Sequence, residues 1–187
     1  MHSVTRLSNH FLIAMPGLQD SNFYRTVTYI CEHDEQGAMG IIINRPLGFD
    51  LTAILEQMEI TQTAPNSINQ PIFSGGPIQS ERGFVLHTTG QSWDSTVQVT
   101  AEISVTTSQD ILRAIAVGKG PECSLVALGY AGWGEGQLEQ EMTSNAWLSG
   151  PADSQVIFSQ PPEQRWQAAA QLLGVDLNLM SGEAGHA

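Results

Sequence analysis

Four glycines fall within eight residues, at Gly129, Gly132, Gly134 and Gly136, directly after the apolar run Leu125-Val126-Ala127-Leu128. No other stretch constrains the backbone of this chain as strongly. The apolar run reads as a buried strand, and glycine admits backbone angles and close approaches closed to other residues. The residues after it predict an amphipathic helix from about Gly136 to Ala146. The expected order is strand, glycine loop, helix. Amide groups at a helix start point outward unpaired, so such a loop is a common place for an anionic ligand. The other reading is a tight corner, with the glycines allowing close packing and Tyr130 and Trp133 filling the core.

The loop matches neither common phosphate-binding pattern. No lysine followed by a hydroxyl residue closes it, and the last glycine of GxGxxG is replaced by Gln137. Glu135, Glu139 and Glu141 stand where a phosphate would meet repulsion, although they suit the helix dipole. Glu135 and Glu139 lie one helical turn apart, the spacing of a solvated face.

Upstream, Phe11–Ala14 is a short buried strand ended by Met15-Pro16-Gly17. Thr26–His33 and Ala38–Asn44 read as a β-hairpin over the loop Asp34–Gly37. Strict alternation along its first strand puts Val27, Tyr29, Cys31 and His33 on one face and Thr26, Thr28, Ile30 and Glu32 on the other. Asp50 can cap a helix carrying Leu51, Ile54, Leu55 and Met58. A polar linker over 61–70 leads to Ile72-Phe73 and the turn Ser74-Gly75-Gly76-Pro77. Phe84–His87, Val97–Val99 and Ile103–Val105 follow as short strands. Thr107-Ser108-Gln109-Asp110 resembles a capping box before a helix that Gly118 stops. Gln155–Phe158 reads as a short strand. Pro161-Pro162 opens a last helix with Trp166, Ala169, Ala170 and Leu173 inward and Gly174 as its stop, and residues 181–187 read as a frayed tail. Strands and helices mix without a βαβ repeat, which predicts an α+β fold with a mixed sheet.

At 187 residues, 41% hydrophobic, the chain is most simply one domain, 1–187. No stretch approaches the ~20 apolar residues of a membrane span. Met1–His10 lacks the long apolar region of a signal peptide, and two cysteines do not make a disulfide framework, so a cytoplasmic location is expected. Nineteen acidic residues face seven basic ones, a net charge of −12, and the six arginines are dispersed. Gripping nucleic acid needs clustered cations, so that class is disfavoured.

Two side-chain sets carry candidate chemistry. Arg45 and Arg82 each sit beside turn residues, and their guanidinium forks together with free amides of Gly75 and Gly76 suit an anionic ligand. The alternative is that each arginine pins loops by pairing with a carboxylate or carbonyl. Cys31, His33 and His87 offer a thiol and imidazoles, the types of a nucleophile and base. Residues i and i+2 on a strand stand ~6–7 Å apart, so only His87 crossing over to Cys31 would complete a pair. A small buried hydrophobe is the other reading of Cys31. There is no CxxC or HxxxH, and neither a metal nor a cofactor is expected.

Longer phrases carry a family resemblance: 11–27 (FLIAMPGLQDSNFYRTV), 31–47 (CEHDEQGAMGIIINRPL), 74–88 (SGGPIQSERGFVLHT), 128–142 (LGYAGWGEGQLEQEM), 145–148 (NAWL) and the ending GHA. In these the chain resembles the bacterial AlgH/YqgE family. The resemblance implies a bifurcated, partly barrel-like sheet surrounded by helices. It brings no catalytic residues, and the transcriptional-regulator label some members carry sits badly with the acidic charge and the lack of a basic recognition helix. The expected function is a non-enzymatic small-ligand-binding or regulatory protein, with a site where Arg45, Gly75, Gly76, Arg82, His87 and Gly134 converge. The alternatives are a hydrolase-like enzyme acting on a small anionic substrate and an acidic module for a protein partner.

Overall fold

The computed structural model describes residues 6–63 and 69–181; the readings of residues 1–5, 64–68 and the tail fall outside them. The described residues form ten strands: β1 His10–Ala14, β2 Val27–Asp34, β3 Gly37–Ile42, β4 Pro46–Asp50 and β5 Pro71–Ser74 in the first half, then β6 Ile78–Thr88, β7 Thr96–Gln98, β8 Ile103–Thr106, β9 Ser124–Trp133 and β10 Trp147–Pro151. The helices are α1 Leu51–Gln57, α2 Asp110–Ala116, α3 Gln137–Thr143, α4 Ser154–Phe158, α5 Arg165–Gln171 and α6 Leu177–Ser181. Among the described residues no helix is long and apolar enough to cross a membrane.

β9 organises the sheet, and it is the glycine-rich stretch itself. Instead of ending at Gly129, the strand continues through Gly129 and Gly132 to Trp133, and the helix starts only at Gln137. One edge of β9 pairs antiparallel with β6. The other edge changes partner: β5 runs parallel to it from Ile72↔Val126 to Ser74↔Leu128, and β3 runs antiparallel from Ala38↔Trp133 to Gly40↔Ala131. The sheet forks at that change, in the order β10-β1-β2-β3-β9-β6-β8-β7 with β4 and β5 as a branch. Together with the helices packed on it, this is the mixed, bifurcated α+β architecture.

The fork requires glycine. Gly75 donates its N–H to Leu128 O (2.8 Å) and accepts Ile42 N–H (2.9 Å), tying the two arms together. A Cβ on Gly75 would stand 2.3 Å from Gly129 O, and one on Gly76 would stand 2.1 Å from the carbonyl carbon of Tyr130. The turn at 74–77 and the glycines of β9 are two sides of one backbone contact.

The largest apolar cluster, with Phe11, Tyr29, Phe84, Leu86, Leu125 and Ala127, lies inside the curl and is closed by Val156, Ile157 and Trp166 of α4 and α5. A second packs α1 and α2 on β5, β6 and β9, and a third gathers Trp133, Leu138 and Trp147 around α3.

Several local expectations are corrected. Residues 155–158 lie in α4, because Asp153 accepts the Gln155 N–H (2.8 Å) and starts a helix turn. The capping box fails, since Gln109 is the N-cap without a side-chain bond and Ser108 donates to Asp110 instead. Leu173 is 37% exposed, not inward. β4 and β10 were not expected. β4 begins at Pro46, two residues past the expected end of the hairpin at Asn44, and β10 pairs among the described residues with β1 alone, 130 and more residues away in sequence.

Candidate functional site

A β-bulge in β2 decides which side chains share a face. Pairing with β3 runs Ile30↔Gly40 and then Glu32↔Met39, so Cys31 is the extra residue and the alternation shifts by one beyond it. Tyr29 and Cys31 stay in the central core, but Glu32 and Asp34 now lie on that same side. His33 turns to the opposite face, in register with Ala38 and, across β3, Trp133. The expected grouping of Cys31 with His33 is thereby overturned.

Where the central core ends, the inside of the curl opens as a groove of about 750 Å³. One wall is the β2–β3 hairpin with Glu32, Asp34 and Met39, and the other is formed by β6, β8 and the segment leading into β7, with Arg82, Val105 and Asp94. The floor is aromatic: the Phe84 and Tyr130 rings meet edge-on with centroids 5.4 Å apart. Gly132 sits in the floor, its near space taken by Ile78 Cδ1 and the Tyr130 ring.

Arg82 lies along Phe84, its guanidinium carbon 5.6 Å from the ring centroid. Its nitrogens donate only long bonds, to Gln79 Oε1 (3.3 Å) and Thr107 Oγ1 (3.5 Å), and among the described residues it has no ion pair. Glu32 and Asp94 are likewise without a side-chain cation. The groove thus holds three carboxylates and one guanidinium that do not neutralise one another by contact.

Of the six residues expected to converge, Arg82 and Gly134 line this groove and the other four stand elsewhere. Arg45 gives three bonds to carbonyls, of Ser21 (3.1 Å), Asn22 (2.5 Å) and Tyr24 (2.9 Å), so it pins that turn. Partial burial lowers its pKa, against the pull of nearby Asp20. Gly75 and Gly76 are covered by β9 at the fork. His87 is buried under the Trp93 ring (5.2 Å, perpendicular), giving its Nδ1–H to Thr88 O (2.9 Å) and accepting Thr106 Oγ1–H at Nε2 (2.7 Å). Burial lowers its pKa, more than the Thr88 carbonyl raises it.

Cys31 is buried in the apolar core, where desolvation and then Glu32 push its thiol far above the ordinary range. A thiolate is the nucleophilic form, so the site opposes that chemistry. Neither a cysteine nor a histidine lines the groove among the described residues. No cluster of three or more metal-type ligands occurs among them.

Three charged residues have structural partners that the sequence concealed. Glu139, expected on a solvated face, accepts a hydrogen bond from Nε2 of buried His33, whose Nδ1 accepts Leu7 N–H (2.9 Å). Desolvation raises the Glu139 pKa, but its backbone N–H and His33 together lower it further. Glu141 Oε1 takes both indole N–H groups of Trp133 (3.4 Å) and Trp147 (3.2 Å). Arg165 is buried, donating to Ile43 O (2.6 Å) and Gln160 O (2.9 Å) over the Phe73 ring. Burial lowers its pKa to about 10, against the opposing field of Glu163. No local pattern marks these pairs, whose partners lie up to 122 residues away.

The AlgH-like family model matches residues 11–178. The chain belongs to the AlgH-like family. A UPF0301 protein of Thioalkalivibrio sulfidiphilus is 57% identical over 187 residues, the whole of both chains. The UPF0301 protein AlgH of Pseudomonas aeruginosa is 54% identical over 186 residues, 99% of this chain and 98% of that one. The solution structure of AlgH from Pseudomonas aeruginosa matches with a TM-score of 0.79 at 53% identity, covering 100% of this chain and 99% of that one. A crystal structure of a Corynebacterium diphtheriae protein matches with a TM-score of 0.75 over 97% of this chain and 94% of that one. At 20% identity this match speaks for the fold alone. In this chain the AlgH-like fold sets the hairpin of β2 and β3 across the groove from β7 and β8.

Proposed function

We propose that this AlgH-like protein works by binding, and that its site is the groove between the β2–β3 hairpin and the β6–β8 arm. The observation that carries this reading is a concave site with an aromatic floor whose carboxylates lack cation partners among the described residues. Glu32, Asp34 and Asp94 border it, and Phe84 and Tyr130 form its base. A ligand with an apolar body and a cationic group fits that chemistry: the body covers the rings and the cation meets the carboxylates. Arg82, already stacked on Phe84, is placed to hold an anionic group of the same ligand. A nucleophilic mechanism through Cys31 and His87 has less support, because each is buried and neither reaches the groove.

The test is a thermal-shift and calorimetry panel of primary amines with aromatic or branched apolar bodies, such as tyramine and leucinamide, against their neutral isosteres. Cationic members are expected to raise the melting temperature, because a ligand of the native state stabilises it by mass action. Glu32→Gln with Asp34→Asn removes the effect. Equal responses to amines and isosteres, or none to either, would overturn the reading.

A further inference from the structure

β7 is the terminal strand of the main sheet path. Its register with β8 is Thr96↔Thr106, Val97↔Val105 and Gln98↔Ser104. The flanking bonds Thr107 N→Ser95 O and Val99 N→Ile103 O mark residues 95 and 99 as hydrogen-bonded positions of this antiparallel ladder. Bonded and non-bonded pairs alternate, so Val97 is bonded to β8 while the N–H and C=O groups of Thr96 and Gln98 point away from it. Those groups form an open strand edge, and β7 borders the groove whose opposite wall carries Glu32 and Asp34. Val97 stands 47% exposed on that edge.

Resting on the reading of the groove as a binding site, we infer that its occupant is an extended segment of a partner protein, added as a strand to β7. Strand addition supplies affinity through the main chain and specificity through alternate side chains. Side chains directed toward the hairpin would meet Glu32 and Asp34, and the protein's net charge is −12, so the matching segment is basic at every second residue. Its intervening residues point to the outer face of the sheet, beside Thr96 and Gln98, and are β-branched to suit a strand, while the apolar stems of the basic side chains cover Val97 and the Phe84 edge of the floor. Three residues is a short edge, consistent with a docking position for a chosen segment that does not invite indiscriminate pairing.

The probe is the heptapeptide acetyl-Lys-Val-Lys-Val-Lys-Val-Lys-amide, with single N-methyl groups moved along it, titrated into the full chain. Amide hydrogen exchange is followed in parallel. Strand addition predicts a period of two: methylation at one set of alternate residues weakens binding about tenfold, as expected for a lost main-chain bond, and the other set has little effect. It also predicts new protection at the Thr96 and Gln98 amides, with Val97 protected before and after. The same peptide with Glu for Lys is expected not to bind. Binding without the two-residue period, or without protection at Thr96 and Gln98, overturns strand addition while leaving the groove reading intact. Failure of the peptide alongside success of the small amines does the same. Failure of both removes the groove reading as well.

Discussion

Gly76 lies against Tyr130 so closely that a methyl group on its Cα would meet the Tyr130 carbonyl carbon at 2.1 Å. Its φ of +154° adds a conformation that L side chains rarely adopt. This contact holds the forked sheet together, and it explains why the two glycine clusters occur in one chain.

Gly76→Ala is therefore expected to destabilise the fold by more than about 3 kcal/mol, since rigid backbone is what it strikes. Gly136→Ala makes the informative comparison. Gly136 also has positive φ (+71°), but its Cβ would enter open space, so only the left-handed penalty of about 1–2 kcal/mol applies. Urea midpoints of the two variants separate steric from conformational cost. Equal losses would contradict the packed fork.

Arg165→Met removes the donors to Ile43 O and Gln160 O and leaves those carbonyls behind. The expected loss is about 2–4 kcal/mol in chemical denaturation. Arg165→Lys is expected to recover only part of it, because an ammonium cannot reproduce the planar fork. Full recovery by lysine would show that charge alone matters there.

His87 has its pKa lowered by burial, so the native state holds it neutral while the unfolded chain takes up a proton near pH 6.5. The stability that follows is complete above about pH 6.5 and declines as pH falls below it toward the folded-state value. Unfolding free energy measured from pH 7.5 to 5 is expected to fall on the acid side. His87→Gln, which can still bond Thr88 O and Thr106, flattens that limb. Glu139 and Asp110, whose pKa values are lowered, add acid sensitivity of the same sign only below the carboxylate range. An unchanged slope in the His87 variant would exclude this histidine as its source.

Cys31 and Cys123 are expected to differ sharply toward iodoacetamide. Cys123 is half-buried, whereas Cys31 is in the core with its thiol held protonated. Mass spectrometry of the native protein should find Cys123 alkylated faster by a factor on the order of 10² or more, with Cys31 labelled through unfolding. Comparable native rates would contradict the burial of Cys31.

Much of the fold can be read along the chain. The β2–β3 hairpin, the Asp50-capped helix, the inward row of Trp166, Ala169 and Ala170, and the family phrases all rest on short-range pattern or composition. Those readings held because turn signals, capping residues and helical periodicity are properties of a single segment. What failed was set between segments. Nothing between Ala14 and Trp147 announces that β10 will pair with β1. Glu139 and Arg165 look like surface charges until His33 and the Ile43 carbonyl arrive beside them.

The glycine stretch from 129 to 136 shows the same division. The sequence alone showed an apolar strand running into glycines and then a helix, and left open whether the glycines served a ligand or a packed corner. Only the tertiary structure decided that the first half of the stretch, to Trp133, continues the strand from Ser124 and is shared by two arms of a sheet, with Gly75 and Gly76 as the approaching backbone. The bulge at Cys31 then put Glu32 and Asp34 inside the curl and His33 outside it. Side-chain direction on a strand follows register, and register follows the partner strand, which no segment carries within itself.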